Sequence, residues 1–317
     1  MTAEKLKHQD KILKSLTKDG QAVVIAVDAR DVLQEALDRV EAWPPAMIHL
    51  GQAMLSAALL QSLPDHAADT RLELQWRCDG PFGPLFAECR DRGRLRGTVL
   101  YPKPDVIDLK HSMGVGHLQV RRSRSGASTG IVAAQGNVVL DVLEYLEKSE
   151  QKNCAMSLWV DLSVDSPADS LLNESASSSK KSDHPAQPFK VRHAFGYLVH
   201  VLPQKTKQIE NAMLYNWDRH LKSLGPISNW VFRENPCAEI LSFVSAEFSP
   251  NIIESENLDF FCSCSEERAE RALAISNQAE NEVANEALKT NLLQNTEEVQ
   301  CEFCGKIYLL KNNKENS

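Results

Sequence analysis

Leu72, Leu74, Trp76 and Cys78 alternate with Arg71, Glu73, Gln75 and Arg77, the two-residue period of a strand with one face buried, and Asp79-Gly80-Pro81 then turns the chain. Val23 to Val27 is a continuous apolar, β-branched run and predicts a more deeply buried strand. Val32, Leu33, Ala36, Leu37 and Val40 recur at helical spacing. Pro44 and Pro45 stop that helix and open a second one through Met54, Ala57 and Leu60. Further strands are predicted around 85–89, 95–100, 118–122, 155–162 and 189–202, with a helix over 138–146. A later helix at about 204–221 carries Ile209, Met213, Leu214 and Trp217 on one stripe, and Asn235-Pro236 reads as the cap and first turn of another. Lys5 to Lys18 reads as a solvated helix. The pattern predicts an α+β chain, a mixed α/β core followed by a helical and then acidic tail.

Residues 163–188 break this pattern. Ser, Asp, Ala, Lys and Pro alternate there with few large apolar residues, as in Ser175, Ser177, Ser178 and Ser179, so the stretch is expected to be a disordered insertion in a hairpin loop. Charge is also uneven. The 317 residues carry a net charge of -8, but thirteen acidic residues face three basic ones between Glu239 and Gln300, so the rest is close to neutral. The acidic Ser245–Leu258 stretch is expected to be loosely packed. An acidic chain with no apolar run long enough for a bilayer or an export signal predicts a soluble, cytoplasmic protein without nucleic-acid or membrane partners. Arg121, Arg122 and Arg124 read as a solvated edge rather than a phosphate site.

Eight cysteines change the picture, because four of them are paired in spacing. Cys262-Ser263-Cys264 is a C-x-C, Cys301-Glu302-Phe303-Cys304 is a C-x-x-C, and thirty-six residues separate the pairs. Four thiolates around one Zn²⁺ at about 2.3 Å place neighbouring sulfurs about 3.8 Å apart, a separation that such short spacings suit. Gly305 allows a turn with positive φ, and Ser265 is a plausible cap for a helix running through Glu266, Glu267, Ala272 and Leu273. A closed four-thiolate site leaves no position for substrate, so hydrolytic chemistry is not expected.

Three readings of these cysteines stay open on spacing alone. One is a structural zinc ribbon that folds the tail of a constitutive interaction protein. A second is a nucleic-acid-binding module, disfavoured by the surrounding acidity. The third is a redox switch, physically possible because the thiolate is the nucleophilic form of cysteine and because structural zinc carries much of the folding energy of a small module.

The motif Phe261-Cys262-Ser263-Cys264-Ser265-Glu266-Glu267-Arg268, followed by Cys301-Glu302-Phe303-Cys304-Gly305-Lys306-Ile307-Tyr308, resembles that of the heat-shock protein 33 family of redox-regulated holdase chaperones. Gly80-Pro81-Phe82-Gly83-Pro84-Leu85, Ser149-Glu150-Gln151 and Gly196-Tyr197-Leu198-Val199 are similar to further family signatures, so the likeness runs from about residue 10 to residue 310. The resemblance implies an α/β chaperone core with twisted sheets and packing helices (1–203), a helical and acidic linker (204–260) and a zinc-binding redox-switch domain (261–317). It implies one Zn²⁺ on Cys262, Cys264, Cys301 and Cys304 in an inactive, reduced state. Oxidation then implies metal release, disulfides Cys262–Cys264 and Cys301–Cys304, and binding of unfolding client proteins without ATP, as a homodimer. The sequence departs from the family in its long 163–188 insertion, its Ala194-Phe195-Gly196 turn, its long spacer between the cysteine pairs and its short polar tail.

Cys78, Cys89, Cys154 and Cys237 have no paired spacing and read as bystander thiols. The nine histidines are scattered without an HExxH pair, and no catalytic constellation is visible, so an enzyme is not expected.

Overall fold

The computed structural model describes residues 9–65, 69–104, 112–123, 128–164, 189–230, 235–246, 250–283 and 296–311. The chain divides into two compact units, Met1–Phe260 and Phe261–Ser317. In the first unit, β1 (Lys11–Thr17), β2 (Ala22–Asp28), β8 (Asn153–Val164), β9 (Phe189–Val201) and β10 (Pro250–Asn257) form an antiparallel sheet in the order β10-β1-β2-β9-β8. A second sheet has the order β11-β5-β4-β3-β6-β7. Its strands are β3 (Arg71–Cys78), β4 (Leu85–Arg90), β5 (Arg94–Val99), β6 (Gly116–Ser123), β7 (Ser128–Ala134) and β11 (Asp259–Phe260), with only β11 running parallel to its neighbour.

Helices α1 (Arg30–Val40), α2 (Pro44–Gln61) and α3 (Val138–Lys148) lie between the sheets. α2 touches β3, β4 and β5 on one side and β2, β8 and β9 on the other, which is why it is apolar all round. The approach is close at Gly97, where a Cβ would stand 2.7 Å from Leu50 Cδ1 and 2.9 Å from the Phe86 carbonyl oxygen. β2 is buried at every position because its two faces serve two cores. Val23, Ile25 and Val27 pack toward α2. Ala22, Val24 and Ala26 pack with Met213 and Trp217 of α4 (Lys207–Leu224) and Ile240 and Leu241 of α5 (Pro236–Val244). Side chains of Asn137, Thr206 and Asn235 cap α3, α4 and α5.

α1 is capped from elsewhere in the chain. Its N-cap residue, Ala29, has no side-chain acceptor, and the buried Asp10 carboxylate accepts the Val32 N–H at 2.6 Å instead. Burial pushes the Asp10 pKa up to about 6, although the helix N–H groups oppose the rise. A folded pKa above the unfolded value means that the folded state binds the extra proton, so stability from this group is fullest at low pH and falls as pH rises toward and through 6. Asp10→Asn is expected to remove about 1 kcal/mol of the stability lost between pH 5 and pH 7. Urea unfolding at both pH values checks this, and an unchanged difference between them would refute it.

Three expectations are corrected. The Lys-rich start is not a solvated helix over its described part: residues 11–17 form β1, paired on both sides, with Ile12, Leu13, Lys14 and Ser15 buried. The lysines masked an inner strand because the Lys14 ammonium is neutralised by Glu254, 2.8 Å away and 240 residues downstream. Residues 204–260, expected as a linker, belong to the first unit. α4 and α5 cover a sheet, and the acidic stretch supplies β10 to one sheet and β11 to the other, with Glu254 bonded to both Lys14 and Arg92. Arg122 is not a solvated edge residue either. It is ion-paired to Glu150, whose side chain is 7% exposed, and lies 5.8 Å from the Tyr145 ring centroid, while Arg124 is outside the described residues.

Val164 and Phe189 pair in register at the ends of the β8–β9 hairpin, so the Ser-rich insertion is carried between two strands of one sheet. Residues 165–188 themselves lie outside the described residues, as do 284–295 of the spacer and the tail 312–317. Among the described residues, no helix is long and apolar enough to cross a membrane.

Candidate metal centre

The second unit contains α6 (Glu266–Val283) and a hairpin of β12 (Thr296–Gln300) and β13 (Ile307–Lys311). Ser265 caps α6: its carbonyl accepts from Arg268 and Ala269, and its hydroxyl oxygen accepts the Arg268 N–H at 3.3 Å. The Arg268 guanidinium reaches back to the Ser263 carbonyl (2.8 Å) and hydroxyl (2.6 Å), which fixes the residue between the first two cysteines. Cys301 and Cys304 sit in the turn joining β12 and β13. Gly305, at φ +68°, donates its N–H to the Cys301 carbonyl, and Cys301 donates to the Lys306 carbonyl, both at 2.9 Å. A residue with a side chain would be strained at that glycine.

These two turns bring all four expected side chains together. The sulfurs of Cys262, Cys264, Cys301 and Cys304 lie within 4.8 Å of one another. The shortest separations cross between the motifs, 3.6 Å for Cys262–Cys301 and 3.3 Å for Cys264–Cys304. A four-thiolate zinc tetrahedron needs sulfurs about 3.8 Å apart, so the donor set and its spacing fit such an ion. None of the four is in a disulfide.

Burial raises the Cys264 pKa, but hydrogen bonds from Tyr308 and the neighbouring thiols outweigh it and bring it down to about 7. Burial pushes Cys301 and Cys304 up, more than the backbone N–H groups at their sulfurs lower them. The Tyr308 hydroxyl donates to Cys264 Sγ at 3.1 Å. Sequence reasoning missed it, because Ile307-Tyr308-Leu309-Leu310 is an unbroken apolar run in which only the structure separates the exposed Ile307 and Leu309 from Tyr308 and Leu310, buried with Ala269 of α6.

The other four cysteines stay apart from this cluster. Cys89 and Cys237 are buried and Cys78 and Cys154 half-buried. Desolvation pushes all four thiols up, Cys78 to about 11 and Cys154 to about 12, which disfavours the reactive thiolate.

Residues 10–311 match the family model described as Hsp33 protein. The chain belongs to the Hsp33 family. Among its curated relatives, the 33 kDa chaperonin of Aquifex aeolicus is 26% identical over 313 residues, 95% of this chain and 86% of that protein. That of Symbiobacterium thermophilum is 27% identical over 311 residues, covering 94% and 93%. The crystal structure of the 33 kDa chaperonin (heat shock protein 33 homolog) of Thermotoga maritima shares the fold of this Hsp33-family chain with a TM-score of 0.74 at 24% identity, covering 97% of this chain and 96% of that one. These relatives carry the name of a chaperonin, not of an enzyme.

Proposed function

We propose that this Hsp33-family chain is a redox-regulated, ATP-independent chaperone that is inactive while reduced and zinc-bound. The observation that carries the reading is the convergence of four cysteine sulfurs, from two motifs thirty-six residues apart, within 4.8 Å. Cys262, Cys264, Cys301 and Cys304 are the residues that would hold one Zn²⁺. Bound zinc would supply a four-point cross-link to a module whose buried apolar cluster, among the described residues, is Ala269, Tyr308 and Leu310. Oxidation removes those ligands and pairs Cys262 with Cys264 and Cys301 with Cys304. The active form binds unfolding proteins, as a homodimer. Eight cysteines with no disulfide between them suit the reducing cytoplasm.

The test is light scattering from a thermally unfolding client protein in the presence of the reduced, zinc-loaded chain or of the peroxide-treated chain. Suppression of aggregation is expected after peroxide only, together with release of about one zinc per chain, the stoichiometry of a single four-thiolate site. Equal suppression in both states would instead support a constitutive interaction protein with a purely structural zinc ribbon.

A further inference from the structure

We propose that Tyr308 is a positioning residue of the four-cysteine site, holding Cys264 Sγ through its hydroxyl and slowing the reaction of that sulfur with peroxide. The inference rests on the zinc-switch reading above and goes beyond the four cysteines. Tyr308 is 8% exposed, and its ring is fixed against Ala269 and Leu310, so aiming the hydroxyl at the sulfur costs little additional side-chain freedom. The O–H donates to Cys264 Sγ at 3.1 Å, from forty-four residues further along the chain. The bond therefore ties the two cysteine motifs together independently of any ion. The Lys306 ammonium stands 4.8 Å from the centroid of the same ring, where a cation draws on the π electrons and makes the phenol a stronger donor.

The chemistry this hydrogen bond affects is nucleophilic. A cysteine thiolate attacks one peroxide oxygen, becomes a sulfenic acid and expels hydroxide. A neighbouring thiolate then displaces a second hydroxide and closes the disulfide. Two electrons leave the two sulfurs, and the peroxide is reduced to two hydroxides, which take up protons as water. The attacking lone pair is on sulfur, and a sulfur that already accepts a hydrogen bond has less electron density to offer. Outer partners of this kind also orient metal ligands.

Tyr308→Phe keeps the ring and its packing and removes only the donor. In the zinc-loaded full-length chain, the variant is expected to lose zinc to peroxide about fivefold faster, the rate equivalent of one hydrogen bond of ordinary strength. Zinc release is read with a chromogenic chelator. Alkylation of Cys264 relative to Cys262, measured by peptide mass spectrometry, is expected to rise by a similar factor. A purely structural role for Tyr308 would loosen all four sulfurs together and leave that ratio unchanged, and an unchanged ratio overturns the proposal. Should Tyr308→Phe fail to retain zinc, Lys306→Met takes its place, with a smaller rise in the same ratio expected and no rise overturning the proposal. Wild-type protein that binds no zinc would bring down the switch reading and this inference together, whereas wild type that releases zinc alongside an unaltered variant ratio brings down this inference alone.

Discussion

Cys304→Ser is expected to abolish stoichiometric zinc binding and to unfold the second unit while leaving the first folded. Cys304 is the most buried of the four thiols, at 7% exposure, and its neighbours are a turn, a two-stranded hairpin and one helix. Among the described residues the unit's buried apolar cluster is Ala269, Tyr308 and Leu310, too small to offset the ordering of some fifty residues, a size at which domains commonly need a metal or disulfides. Structural zinc contributes on the order of 10 kcal/mol in modules of this kind, more than such a cluster can replace. The measurement is hydrogen exchange at amides bonded only within this unit. Those of Ala269, Cys301 and Gly305, and those of the β12–β13 ladder, should exchange at nearly unprotected rates in the variant or after chelation. Amides of β2 and α2, inside the large core of the first unit, should keep wild-type protection. Persisting protection around Cys301 in metal-free protein would show that the module folds without an ion and would remove the physical basis of a zinc-gated switch.

The same contrast explains which features were legible in the sequence. α2 and β2 were readable because burial on all sides leaves continuous apolar runs, and β3 because one-sided burial leaves strict alternation. The cysteine cluster was readable because metal ligation constrains spacing within each short turn. Features whose cause is distant in sequence were hidden. Asp10 caps a helix twenty-two residues away, Lys14 is neutralised across 240 residues, and Tyr308 reaches a sulfur forty-four residues back. Charge counts over 239–300 suggested a loose segment because a local sum cannot register Lys14 and Arg92, the partners of Glu254. β7 and β13 were missed for a related reason. Ile131, Ile307 and Leu309 are apolar side chains on exposed faces, so the expected alternation of polar and apolar positions is blurred there.

The second large effect is expected at Glu88, in the sheet of the first unit. Arg121, Glu73, Glu88 and Arg96 stand in one cross-strand row over β6, β3, β4 and β5. Glu88 is 1% exposed on this charged face because guanidinium groups surround it: Arg96 at 2.6 Å, Arg71 at 2.9 Å and Arg90 in direct contact. Burial pushes its pKa up, but Arg96 and Arg71 outweigh that and hold it below the usual glutamate range. A depressed folded pKa means that the stabilisation is present above the unfolded value and is lost as pH falls through the folded one, so its loss belongs to the region below pH 4.5. Glu88→Gln keeps the shape but withdraws the negative charge from Arg96, whose side chain is only 10% exposed. The expected cost is about 3 kcal/mol, at the lower end for breaking a buried pair because Arg71 and Arg90 retain some access to water. In a unit of this size that lowers Tm by about 6–12 °C. Glu88→Leu combined with Arg96→Met should recover much of the loss, since an apolar pair of similar volume has no charge to desolvate. A double-mutant cycle on these two positions, followed by thermal unfolding at pH 7, separates the ion pair from simple packing. If the double variant is as unstable as the sum of its single changes, the two side chains act independently and the charge row is not what holds Glu88 in the sheet.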